Sequence, residues 1–192
     1  GYSDLYWFPG EDRYTSSFGT ETQLRSMINT FKAKGIGTIA DVVINHRGTL
    51  STWNDFPSET YKGVTYSLTY EDICSDDEAA KNGYKVGKNK DTGEGWDGLR
   101  DLDHKSENVQ TAVKAYLNFL LKDLGYTGFR YDMVKGYSAS YTKMYNEDSK
   151  PQFSVGECWD SSNTIKNWID GAGKTSAAFD FQFRYTVRNA IN

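Results

Sequence analysis

The chain is short of the features that mark several functional classes. It has only two cysteines, Cys74 in a polar stretch and Cys158 at the end of an apolar run. Their spacing fits neither a metal-ligand motif nor a disulfide framework, so both are expected to be free thiols and the compartment stays open. Positive charge is not in excess: Lys and Arg total 22 against 26 Asp and Glu, for a net charge of −4. With no basic stripe, nucleic acid is not an expected partner. No apolar run is long enough to cross a bilayer, so no membrane partner is expected either. The opening segment GYSDLYWFPG carries neither the charged nor the apolar region of a secretion signal.

What is present is a folding sequence. Its 192 residues can bury one good core, 38% are hydrophobic, and aromatics reach 15%, enough to suggest a surface that stacks on ring-shaped ligands. Ordinary core packing accounts for most of those aromatics. Thr20 followed by Glu21 to Lys34 reads as a capped helix, with Leu24, Met27, Ile28 and Phe31 at helical spacing before Gly35. Ile36 to Asn45 is β-branched and nearly continuous, which predicts a strand covered on both faces. Glu107 to Leu124 repeats the helical pattern and leads into the strand GFRYDMV after Gly125. Ser138 to Glu147 is a further helix, Phe153 to Cys158 a third strand and Thr164 to Asp170 a fourth helix. Ala177 to Phe183 is a possible fourth strand, with a last helical stretch to Asn192.

Alternating helices and strands predict an α/β fold of parallel β/α units with right-handed crossovers. Four strands are too few for an eight-stranded barrel, which takes about 250 residues. The expectation is therefore either a small open sheet or part of a (β/α)8 TIM barrel, and the unpreceded first helix favours a part. Residues 46–103 interrupt the rhythm with far more chain than an ordinary connection. They predict an inserted loop subdomain between 1–45 and 104–192, with 75–95 reading as solvated turns.

In parallel β/α folds the chemistry gathers at the carboxyl ends of the strands. The first strand ends in Asn45 and His46; the second carries Arg130 and Asp132 two residues apart, hence on one face, with Lys135 beyond; the third ends in Glu157, Cys158, Trp159 and Asp160. Two carboxylates with an Arg and a His at neighbouring strand ends suit glycoside hydrolysis, in which one carboxylate attacks and the other donates a proton. Spacing alone leaves alternatives open: Arg130 and Asp132 as a structural ion pair, His46 as a satisfied core histidine, Glu157 as a solvated strand end.

The motifs carry further. DVVINH (41–46), DLDH (101–104), GFRYDMVKG (128–136) and GECW (156–159), in that order, resemble four signature segments of the α-amylase family of glycoside hydrolases, and KGYS with DLDH look most like plant-type and related bacterial α-amylases. The resemblance spans essentially the whole chain. It implies a retaining enzyme acting on internal α-1,4 bonds of starch- or glycogen-like glucans or maltooligosaccharides, with Asp132 as nucleophile and Glu157 as acid/base. It implies Arg130 as the orienter of Asp132, His46 and Tyr2 as holders of the sugar ring, and Lys135, Gly136 and Trp159 along the departing-sugar side. It also implies a Ca²⁺ held by Asn45, Asp101 and the backbone carbonyl of Gly136, oxygen ligands that suit a hard cation. A simple place beside a helix start is the alternative for Asp101.

The family resemblance implies an extracellular or periplasmic location. The family's third acidic residue, in an Asn-His-Asp segment, does not appear between Glu157 and Asn192, nor do strands preceding Tyr2. The expectation is accordingly the middle of an enzyme, about strand 3 to helix 6, with the remaining barrel segments supplied by a longer chain. Two alternatives stand beside the endo-acting reading. One is an exo-acting α-glucosidase or transglycosylase of the same superfamily, against which the second Asp of DLD argues; the other is an inactive glucan-binding fragment.

Overall fold

A computed structural model describes residues 5–10 and 16–191; Tyr2, and the sugar-stacking role expected of it, lie outside the described residues. Helix α1 spans Glu21–Ala33. Its start is fixed by Thr20, whose hydroxyl accepts from the Gln23 amide while the Gln23 side chain answers the Thr20 N–H, a reciprocal capping box. Strand β1 (Ile39–Val42) follows. The segment 46–103 then folds as two small antiparallel pairs: β2 (His46–Arg47) with β5 (Arg100–Asp101), and β3 (Ser58–Tyr61) with β4 (Val64–Ser67). A short helix α2 (Glu78–Lys81) lies between them in the chain. After β5 come α3 (Glu107–Asn118), β6 (Gly128–Tyr131), α4 (Ala139–Ser149), β7 (Phe153–Gly156), α5 (Ser162–Gly171), β8 (Ala177–Ala178) and α6 (Phe181–Ile191).

The sheet that organises the molecule has the order β1-β6-β7-β8, and every pairing in it is parallel. Parallel neighbours need crossovers, and α3, α4 and α5 supply them between successive strands. This is the β/α repeat of a TIM-barrel sheet, with four of its parallel strands among the described residues.

Side chains alternate across each strand, so the sheet has two unlike faces. On one, Ala40, Val42, Phe129 and Tyr131 are buried in a single core with Val113, Tyr116 and Leu117 of α3 and Tyr145 of α4. A polar chain crosses it: the Tyr131 hydroxyl donates to Asn146 Oδ1 at 2.9 Å, and Asn146 Nδ2 donates to Ser154 Oγ at 3.1 Å. On the other face stand Ile39, Asp41, Arg130 and Val155, aligned by the register Asp41 to Arg130 to Val155.

Several expectations are corrected here. Strand β1 is not covered on both sides, because Ile39 and Asp41 are exposed and only Ala40 and Val42 are buried. The regular helix after Glu107 stops at Asn118 and widens into a π turn over Phe119–Leu124, closed by Gly125 at φ 88°, a left-handed cap that glycine adopts freely. Only Ala177–Ala178 of the expected strand Ala177–Phe183 pairs in the sheet; Phe179 and Asp180 form a short connection, and Phe181 to Phe183 open α6, where they are helical rather than extended. Cys74 is buried rather than set in an open polar loop, and like Cys158 it is a free thiol.

The stretch 75–95 holds more than solvated turns. Asp77 is buried, caps α2 through the Ala79 amide and accepts from the Asp101 amide, so it pins the turn region to β5. Buried Arg47 and Glu59 pair at 2.5 Å, and Glu59 also accepts from the amides of Trp7 and Phe8. That cluster ties the segment before α1 to the 46–103 insertion through backbone donors that would otherwise be left unpaired in the interior.

Candidate functional site

The carboxyl ends of β1, β6 and β7 meet on the open face. Two ladder bonds continue just past the strands: the Asp132 amide donates to Val42 O at 2.9 Å, and the Glu157 amide donates to Tyr131 O at 2.9 Å. The backbone that carries each carboxylate is thereby anchored to the neighbouring strand. Met133 follows Asp132 at φ 40°, a left-handed conformation costly for a residue with a side chain. In that conformation the Met133 amide donates to Glu157 Oε2 at 3.1 Å.

Arg130 joins the strand ends. Its NH1 donates to Asp132 Oδ1 at 2.5 Å and to Asp41 Oδ1 at 2.8 Å, while NH2 lies 3.0 Å from Glu157 Oε2. One guanidinium thus touches three carboxylates from three adjacent strands, and its fork geometry fixes their relative placement. Burial lifts the pKa of Glu157 above the ordinary carboxylate value; the Met133 amide and Arg130 oppose this, and neighbouring Asp132 adds to it. Two nearby carboxylates in unlike environments can divide the roles of charged group and proton carrier.

His46 is buried at the start of β2, its ring stacked on Trp96 with centroids 5.5 Å apart. Desolvation lowers its pKa, against the upward pull of Asp132, so the imidazole is held toward its neutral form beside that carboxylate. Lys135 bridges Glu94 at 3.0 Å and Asp160 at 2.9 Å, linking the loop 91–98 to the loop after β7. Trp159, about half exposed, stacks on Phe181 at 4.7 Å. The structure therefore brings Asp132, Glu157, Arg130 and His46 into one group, while Lys135 is held by partners in the surrounding loops and Trp159 by Phe181 at the start of α6.

The residues expected to hold a cation also converge. Asn45 Nδ2 lies 3.3 Å from Asp101 Oδ1, and Gly136 packs so closely on the Asn45 amide that a Cβ there would stand 2.0 Å from Oδ1. Among the described residues no three His, Cys, Asp or Glu side chains are grouped as metal ligands. The expected set draws on one carboxylate, an amide and a backbone carbonyl, and its surroundings suit a cation. Burial raises the Asp101 carboxyl to about 8, with Asp91 and Asp77 adding to the rise and the Trp96 amide and Arg100 opposing it. Asp91 Oδ2 is buried without a hydrogen-bond partner. A crowd of buried acids with an orphaned oxygen is what a hard cation would neutralise.

Sequence reasoning missed Asp41, Trp96 and Asp91. Asp41 had a readable signal, a charge inside an otherwise apolar strand. Trp96 and Asp91 lie in a loop whose path no local pattern dictates.

With that geometry in hand, comparison with known proteins is informative. A family model described as alpha amylase, catalytic domain, matches residues 5–192. The chain belongs to the alpha-amylase family. Probable alpha-amylase 2 of Arabidopsis thaliana is 34% identical over 94% of this chain and 46% of that protein. Alpha-amylase 3, chloroplastic, of the same plant is 27% identical over 92% of this chain and 21% of that protein. The chain thus spans less than half the length of these curated relatives. Among solved structures, an alpha-amylase from Anoxybacillus superposes with a TM-score of 0.64 at 18% identity, over 95% of this chain and 37% of that one. The alpha-amylase of Geobacillus thermoleovorans complexed with acarbose gives 0.57 at 21% identity, over 87% of this chain and 36% of that one. These likenesses bear on the fold.

Proposed function

We propose that the chain carries the nucleophile and the acid/base of a retaining α-amylase-type glycoside hydrolase that cleaves internal α-1,4 bonds of starch-like glucans. The observation that supports this most is Arg130 bridging Asp132 and Glu157 from adjacent parallel strands. Two carboxylates on one guanidinium are close together, as covalent double displacement requires; an inverting pair stands further apart to admit a water between carboxylate and sugar.

In this reading Asp132, oriented by Arg130, attacks the anomeric carbon. Glu157 gives its proton to the departing glycosidic oxygen. The Glu157 carboxylate then takes a proton from water, which displaces Asp132 and restores the α configuration. The raised proton affinity of Glu157 serves the first half of this cycle, keeping an acid available at higher pH than an ordinary carboxylate would. Neutral His46 is placed to donate a hydrogen bond to a sugar hydroxyl beside Asp132, and Trp96, half exposed and stacked on it, extends that wall. Lys135, Gly136 and Trp159 border the side of the departing sugar.

Asn45, Asp101 and the Gly136 carbonyl would hold Ca²⁺, joined by Asp91. When bound, the ion supplies charge neutralisation and ties the 46–103 insertion to the sheet. We also assign residues 46–103 as a subdomain separate from the barrel parts 1–45 and 104–192.

The test is Asp132→Asn and Glu157→Gln, made separately in the full chain encoded with this segment. Each is expected to lower starch hydrolysis by about 10³-fold or more. Near-normal hydrolysis by either variant would sink the assignment. Viscosity falling before much small sugar appears supports endo action, whereas early release of small sugar points to the exo-acting alternative.

A further inference from the structure

Asp41 has no part in the chemistry above, yet it occupies one of the contacts of Arg130. It stands on β1, in register with Arg130, with its side chain 48% exposed on the open face of the sheet. A half-exposed surface carboxylate beside an Arg is ordinarily worth little. This one is unusual because the NH1 it contacts is the same atom that Asp132 contacts, while NH2 of the same group reaches Glu157.

We propose that Asp41 is a positioning residue of the site: by holding the outer side of Arg130 it fixes the guanidinium between Asp132 and Glu157, and it limits how much of that positive charge Glu157 experiences. The inference rests on the glycosidase reading of Asp132 and Glu157.

Arg130 presents one positive charge to three carboxylates. Asp132, one step beyond the end of the same strand, and Asp41 accept from NH1, while Glu157 meets NH2. Were Asp132 and Glu157 the only partners, the guanidinium could settle between them and favour ionisation of Glu157. A third carboxylate on the opposite side draws the group toward β1 and adds a negative charge to the cluster. Both effects favour the protonated form of Glu157. Burial of Glu157 acts in the same direction.

Other charged groups around Glu157 are accounted for. Arg130 and Asp132 face it from β6, and Asp41 acts from β1 through Arg130. His46 of β2 stands beside Asp132 and is held toward neutrality. Lys135 is engaged by Glu94 and Asp160, so its charge is already matched. Asp41 is therefore the charge on a neighbouring strand whose removal changes the balance without touching either reacting carboxylate.

The test uses Asp41→Asn, which keeps a hydrogen-bond acceptor and removes the charge, and Asp41→Glu, which keeps the charge. Both are made in the full encoded chain, with circular dichroism and melting temperature checking that each variant folds. Two readouts are taken: the pH profile of kcat/KM on maltooligosaccharide, and the titration of the Glu157 carboxyl followed by ¹³C NMR. With Asp41→Asn, the alkaline limb and the Glu157 midpoint are expected to move down together by about half a pH unit or more, and Asp41→Glu returns most of the shift. An Asp41→Asn profile and midpoint that superimpose on wild type would overturn the proposal, even with activity reduced, because a merely structural loss lowers rate without moving the midpoint.

The NMR titration does not depend on turnover. If Asp132→Asn proves active while Asp41→Asn still moves the Glu157 midpoint, the catalytic reading fails and the electrostatic link stands. If Asp132→Asn is inactive and the midpoint is unmoved, the link fails and the catalytic reading stands.

Discussion

Strand β6 has two faces that differ in almost every physical respect. Toward α3 and α4 it offers Phe129 and Tyr131, wholly buried, packed among Val113, Tyr116 and Tyr145 and closed by a Tyr131–Asn146 hydrogen bond. Toward the open side it offers Arg130 and, one step beyond its end, Asp132, both only partly shielded and engaged with Asp41 and Glu157. Adjacent residues on one backbone thus serve opposite ends. The apolar face fixes where the strand lies, and that fixed position makes it possible to hold charges a few ångströms apart without collapsing them into a buried, fully neutralised pair.

The contrast predicts that the two faces fail differently, and the largest separation should appear between Asp132 and its neighbour Phe129. Asp132→Asn is expected to remove about 10³-fold or more of the activity, roughly 4 kcal/mol of transition-state stabilisation, with a melting temperature close to wild type. Phe129→Ala should do the reverse, costing about 3–5 kcal/mol of stability by opening a cavity under the sheet. Whatever Phe129→Ala protein remains folded should keep its pH profile. A Phe129→Ala variant of normal stability, or an Asp132→Asn variant that is simply unfolded, would break the distinction.

A smaller effect is expected where the insertion meets the sheet. Gly136→Ala places a Cβ against the Asn45 amide, so either Asn45 or the chain at 136 must shift. If Asn45, Asp101 and the Gly136 carbonyl hold Ca²⁺, wild type should be stabilised by added calcium, by about 2.7 kcal/mol at a hundredfold excess over Kd. Gly136→Ala should lose most of that increment, which differential scanning calorimetry with and without a chelator measures. An identical calcium response in the two proteins would remove Gly136 from the cation site. The smallest effect is expected far from both faces. Lys166 and Asp170 pair at 2.6 Å on the exposed surface of α5, and Lys166→Ala should change stability by no more than about 0.5 kcal/mol.

The same contrast explains what could be read in the sequence. The sequence pattern found α1, α3, α4, α5 and a last helix, and placed a candidate at each of the four parallel strands, because burial against a common core leaves a repeating pattern. It misjudged β1, where a β-branched run suggested cover on both sides although Ile39 and Asp41 are open. It also misjudged residues 181–183, where Phe181 and Phe183 alternate as in a strand yet begin α6. Local alternation over three residues cannot distinguish the two structures. The candidate site was legible at Asp132, Glu157, Arg130 and His46 because each sits at a strand end within a recognisable motif. Asp91 and Trp96 were not legible, since their approach to Asp101 and His46 depends on how the 91–98 loop folds back over Lys135, where the Glu94 amide donates to the Lys135 carbonyl at 2.9 Å.

The central claim is that Asp132 forms a bond to the sugar while Glu157 manages the proton. A 5-fluoro-α-glucosyl fluoride, whose covalent intermediate hydrolyses slowly, tests it in the full encoded chain by peptide mass spectrometry. A single glycosyl adduct on the peptide carrying Asp132, absent from Asp132→Asn, is the predicted result. An adduct on Glu157 or Asp41, or turnover of this reagent with no Asp132 adduct accumulating under conditions that slow deglycosylation, would contradict it.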